Sequence, residues 1–138
     1  MFEWKEEFEL KIKVIDDQHK KLLEIGNKIN DLLVNQEAED DNFDEIYQVI
    51  EELRDYTVYH FTTEENLFIK HNYSGYEAHK KEHDAFIEFL NSVNPDEIDD
   101  NQKEFLKSLL TKIVKWVFKH IITTDFMYKD YMIGLGMK

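Results

Sequence analysis

Residues 59–68 read YHFTTEENLF, and this stretch decides the fold. His60, Glu64 and Leu67 continue a series begun by Ile46, Ile50, Leu53 and Thr57, at alternating four- and three-residue spacing. That rhythm is the signature of one buried stripe on a helix. A histidine and a glutamate one turn apart therefore lie on the face the helix is about to bury.

The same rhythm recurs on either side. From Asp16 to about Leu33, the residues Ile15, His19, Leu22, Gly26, Ile29 and Leu33 form a stripe that contains a histidine. After NYSG, where Gly75 marks a helix stop and turn, a third stripe runs through Tyr76, His79, His83, Phe86 and Leu90. Asn94-Pro95 and an acidic run break the pattern. A fourth stripe then takes Leu106, Leu109, Ile113, Trp116 and His120, its acidic N-terminal flank suiting the helix dipole.

Four amphipathic helices joined by short connections predict an all-α, up-down-up-down antiparallel four-helix bundle, with residues 1–138 as a single domain. Residues 1–15 are expected to lie across it as an ordered arm anchored by Phe2, Trp4 and Phe8. The tail FMYKDYMIGLGMK reads as a short helical end that frays past Gly134.

Composition narrows the function. Four glycines and one proline leave little material for tight turns or β-bends. A formal net charge of -13 repels phosphates and anionic lipid, so neither nucleic acid nor a membrane surface is an expected partner. The chain contains no cysteine, which removes disulfides, thiolate metal sites and cysteine nucleophiles together. The opening MFEWKEEFELKIKV carries charge throughout, and no segment is long and apolar enough to span a bilayer. A cytoplasmic location is the expectation.

Five of the six histidines (His19, His60, His79, His83 and His120) occupy stripe positions, and only His71 stands apart. A lone histidine on an apolar face is usually a satisfied core residue. Five, with Glu64 among them, are not, because an unpartnered buried carboxylate costs several kcal/mol and no stripe lysine or arginine neutralises it. Bound metal ions supply the missing charge and turn buried imidazoles into ligands. His79 and His83 are an i,i+4 pair able to reach one ion, and His60 with Glu64 repeats that spacing. So many ligands exceed what one first-row metal accepts, which points to two ions. Asp125 follows His120 in HIITTD at a spacing of five. A regular helix would swing it away, so the helix is expected to end, loosen or bulge there.

With His19 in IDDQHKKLL, His60 and Glu64 in HFTTEE, His79 and His83 in HKKEH, and His120 and Asp125 in HIITTD, the chain resembles the hemerythrins, most of all the bacterial ones, over nearly its whole length. Trp4 resembles the tryptophan of that family's N-terminal arm. The resemblance implies reversible O2 binding, for storage, carriage or delivery, at a non-haem centre of two iron ions. One ion would be held by His79, His83 and His120 and the other by His19 and His60. Glu64, Asp125 and an oxo or hydroxo group would bridge them, and the second ion would keep an open position for O2. NO and small anions such as azide are further expected ligands, and a protein acceptor of O2 a further partner.

Around that centre Phe61, Phe86, Trp116, Val117 and Ile121 are placed to line a dry O2 pocket, with Val117, one turn before His120, positioned to control entry. Tyr128, one turn after Asp125, is placed to reach back toward it. Glu65 and Glu82 are expected to be solvated, and His71 to lie at the surface. The chain is expected not to be an enzyme, and three rivals frame that. The same centre could serve as an O2 or NO sensor or as an oxidase or peroxidase. HKKEH also fits the H-x-x-E-H pattern of zinc peptidases, which would leave the other five groups without a role. A metal-free bundle acting through its acidic faces has only a solvated charge run behind it.

Overall fold

The computed structural model describes residues 3–35 and 41–138, so the Phe2 anchor lies outside the described residues. The four expected stripes each became a long helix: α1 (Lys13–Asn35), α2 (Phe43–Lys70), α3 (Tyr76–Asn91) and α5 (Gln102–Lys119). A short helix, α4 (Pro95–Asp100), precedes α5. Beyond α5 a π-helical turn, His120–Asp125, leads into α6 (Phe126–Gly134). α1 packs against both α2 and α5, and α2 against α3, so the chain closes into the expected all-helical bundle.

Local chemistry sets the helix ends. α2 stops where Asn72 takes a left-handed φ of 54°, and the Asn72 and Tyr73 amides donate back to the Ile69 and Phe68 carbonyls. Those two bonds form a Schellman closure, a role Asn shares with Gly. Gly75 is needed for a different reason: its φ is ordinary, but a Cβ there would stand 2.7 Å from the Tyr73 ring. The Asn94-Pro95 break proves to be a helix start. The Asn94 side chain accepts from the Asp96 amide while Pro95 occupies the first turn, and Asn101 accepts likewise from Glu104 to open α5.

The arm crosses the bundle as expected but is held mainly by residues outside the expected anchors. Phe8 is buried and Trp4 half-buried, its ring edge-on to Phe8 at 5.8 Å. Leu10 and Ile12 are fully buried, and the buried Asp16 carboxylate accepts from the Leu10 and Lys11 amides at 2.8 and 3.1 Å. The tail is closed where fraying was expected. Gly136, at φ 88°, donates to Ile133 while Met137 donates to Met132, and Met137 packs against buried Tyr128 and Met132.

The interior has three layers. A large apolar core takes in Leu22, Ile29, Leu53, Phe86, Leu109 and Val117, among others. A smaller one at the opposite end gathers Leu10, Ile12, Ile15, Phe68, Tyr128 and Met132. α1 and α2 pass from one to the other through a polar step: Ile15 then His19 then Leu22 on α1, Phe61 then Glu64 then Phe68 on α2.

Candidate metal centre

That polar middle layer contains all seven residues singled out from the sequence. His19, His60, Glu64, His79, His83, His120 and Asp125 are each at most 3 % exposed. They converge as two overlapping groups, Glu64 with His79, His83 and His120, and His19 with His60, Glu64 and Asp125. The π turn is what admits Asp125. Its i→i+5 winding carries the aspartate back over His120, so that Asp125 Oδ1 stands 3.0 Å from His120 Nε2.

The distances have the character of coordination. His120 Nε2 lies 3.1 Å from Nε2 of both His79 and His83. A neutral imidazole carries one N–H, so three converging nitrogens cannot all satisfy one another. His19 Nε2 is 2.9 Å from Asp125 Oδ2, and His60 Nε2 is 3.1 Å from Glu64 Oε1. None of these four atoms makes a hydrogen bond. Two donors bound to one ion at about 2.1 Å and at right angles stand about 3 Å apart, so the spacing fits lone pairs aimed at shared ions. An all-imidazole and carboxylate donor set suits a first-row metal such as iron.

Both carboxylates reach both groups. Asp125 Oδ1 is 2.9 Å from His79 Nε2, while Oδ2 faces His19. Glu64 Oε1 lies 3.3 Å from His83 and 3.1 Å from His60. Burial and the mutual repulsion of the two carboxylates push Glu64 up, yet the His60 and His83 imidazoles outweigh them and hold it low. Burial likewise raises Asp125, but His120, His19 and His79 keep it well below the usual carboxylate range. Burial pushes His60 down toward the neutral form that binds metal. His120 goes the other way: burial lowers it, but the Asp125 carboxylate raises it by more.

Tyr128 does reach back. Its buried hydroxyl donates to Glu64 Oε2 at 2.5 Å, and burial with the nearby Glu64 and Asp125 charges raises the phenol so that it keeps its proton. Glu65 corrects the expectation of a solvated residue. Its side chain is 18 % exposed and its Oε2 accepts from His83 Nδ1 at 2.9 Å. Gln18, which lies beside the α1 stripe and not on it, is buried with Oε1 2.6 Å from His60 Nδ1. Glu82 is half-buried, and His71 caps α2 outside the centre.

The apolar neighbours divide by side. Phe61 stacks on His83 at 3.9 Å and Trp116 on His120 at 4.3 Å. Phe86 stacks on Trp116 behind them, and Ile121 is buried in the large core. Val117 faces α1, where with Leu22, Leu23, Gly26 and Ile113 it lines a narrow apolar gap one turn from His19.

The model of the hemerythrin HHE cation binding domain matches residues 10–131, a span that contains every one of these groups. The chain belongs to the hemerythrin family. Among its relatives this hemerythrin is 42% identical to the bacteriohemerythrin of Clostridium acetobutylicum, over 94% of its own length and 100% of the relative's. It is 35% identical to that of Pseudomonas aeruginosa, over 92% of this chain and 78% of that one. A hemerythrin-like protein of Naegleria gruberi shares 30% identity over 95% and 93% of the two chains. The crystal structure of a wild-type hemerythrin superposes with a TM-score of 0.74 at 25% identity, covering 94% of this chain and 96% of the other. Among the described residues, no helix is long and apolar enough to cross a membrane.

Proposed function

We propose that this hemerythrin binds O2 reversibly at a pair of iron ions, storing, carrying or delivering it without catalysing its reduction. The observation that carries this reading is the buried layer of five imidazoles and two carboxylates in which the close-spaced His19 Nε2, His60 Nε2, Glu64 Oε1 and both Asp125 oxygens find no hydrogen-bond partner among the described residues. In this reading His79, His83 and His120 would hold one ion and His19 and His60 the other, with Glu64 and Asp125 shared between them and an oxo or hydroxo group completing the set. The ions, when bound, supply the electrons and the coordination position that O2 takes.

What the chain itself supplies is orientation and dryness. Gln18 accepts from His60 Nδ1 and leaves its Nε2 free to face inward, and Tyr128 fixes Glu64 from behind. Phe61, Trp116 and Ile121 keep water from the three-imidazole side. Val117, with Leu22 and Leu23, forms the apolar approach beside His19, the two-imidazole side on which a small uncharged ligand would arrive. With only two carboxylates among seven ligands, the centre stabilises ferric ions less than an acid-rich one does, which favours release.

The test is a visible spectrum through repeated gas exchange. The reduced protein is expected to be nearly colourless, to gain a charge-transfer band under O2 and to lose it under inert gas, with azide giving a band of its own on the oxidised form. Permanent oxidation in a single exposure would move the reading to an oxidase or a sensor.

A further inference from the structure

Each half of the centre has one imidazole gripped from behind by a side chain of a neighbouring helix, and the two grips differ in charge. On the two-imidazole side, His60 Nδ1 meets the neutral amide oxygen of Gln18 at 2.6 Å, and that amide also reaches Thr63 Oγ1 at 3.4 Å. On the three-imidazole side, His83 Nδ1 meets a carboxylate oxygen of Glu65 at 2.9 Å. Among the described residues, Nδ1 of His19 and of His120 has no hydrogen-bond partner.

A carboxylate only accepts, so His83 Nδ1 carries the proton and its Nε2 lone pair faces the centre. An amide oxygen fixes the same tautomer on His60, so geometry alone does not distinguish the grips. Charge does, because a carboxylate behind an imidazole makes the ring a stronger donor than an amide does. Glu65 borders a groove of about 410 Å³ between α2 and α3, whose walls include Thr62, Glu65, His83 and Ile87. Phe61 stacks flat on the His83 ring and closes the inner side, so the charge reaches the ion through the imidazole.

We propose that Glu65 is a positioning residue that makes the two halves of the centre electrically unequal, its carboxylate behind His83 favouring the higher charge on the three-imidazole ion while Gln18 leaves the His60 side less favoured. The inference rests on the iron pair proposed above. Its consequence is an ordered oxidation, in which the ion held by His83 is the first to become ferric. The ion facing the Val117 gap keeps its electron longer, on the side where a ligand arrives.

The test is a potentiometric titration of the iron-loaded protein, read by the spin signal of the one-electron-oxidised state, for wild type, Glu65→Gln and Gln18→Glu. Glu65→Gln keeps size and hydrogen-bonding capacity but removes the charge. It is expected to retain two irons per chain and the wild-type helical signal. Its first oxidation should be about tenfold less favourable, which is about 59 mV for one electron. Gln18→Glu should ease oxidation on the His60 side by a similar factor and narrow the gap between the two steps. Potentials unmoved in both variants would overturn the proposal while leaving O2 binding untouched. If Glu65→Gln fails to fold or to load, Gln18→Glu decides alone, and an unmoved potential there has the same meaning. A wild type that takes up no pair of ions overturns this proposal and the O2 reading together.

Discussion

Glu64 sits at the most demanding point of the molecule, fully buried, 3.1 Å from His60, 3.3 Å from His83 and 2.5 Å from the Tyr128 hydroxyl. Replacing it with Ala removes a ligand and a core group at once. We expect Glu64→Ala, and His83→Ala likewise, to lower metal content and helical stability together, measured by elemental analysis and circular dichroism on the same samples. Tyr128→Phe is milder. It strands a buried carboxylate oxygen and should cost about 1–3 kcal/mol in chemical unfolding with the metal retained. Stripe position was enough to turn Glu64 and His83 inward, and Tyr128 followed only as the residue one turn after Asp125, because helical spacing says which side chains share a face. It could not find Gln18 or Glu65. Each stands beside a stripe residue, on the flank of its helix, and acquires its role only by meeting an imidazole on a neighbouring helix.

Among the elements, a departure from α winding after His120 was legible from spacing as an end, a loosening or a bulge, and the structure makes it a π turn. His120 and Asp125, five positions apart, cannot share a face on an α-helix, so the winding had to change between them. The closures at Asn72 and Gly136 were harder to read, since a left-handed residue declares itself only through the carbonyls its neighbours reach. Asn72 ends α2 one turn after Phe68 and sets the approach of α3, which carries His79 and His83. Asn72→Ala should therefore lower stability by about 1 kcal/mol, the cost of a Cβ-bearing residue without Asn's local hydrogen bonding at left-handed φ. Asn72→Gly should be neutral or better, and urea midpoints distinguish the two. Pro95 was read as a break because proline usually ends a pattern. Here the Asn94 cap makes it the first turn of α4.

For the molecule as a whole, the metal-binding layer separates two apolar cores, an arrangement visible only once the arm and tail are seen to build the smaller one. Stability should accordingly depend on metal and on pH. In the metal-free protein Glu64 and Asp125 titrate below their unfolded values, so their contribution is present above about pH 4 and is lost as pH falls through their folded values. His60, lowered by burial, loses its contribution as pH falls below about 6.5, where the unfolded chain takes up a proton that the folded one refuses. His120, raised beside Asp125, acts oppositely, its contribution full below about pH 6.5 and lost as pH rises through its folded value. Acidification should thus release metal and unfold the bundle together, followed by circular dichroism with metal analysis of the filtrate. The most direct measurement is iron per chain in protein purified without added metal, paired with its thermal midpoint before and after chelation. Two irons per chain are expected, with a midpoint that falls when they are removed. An iron-free protein whose bundle melts at the same temperature with or without iron would contradict the iron pair.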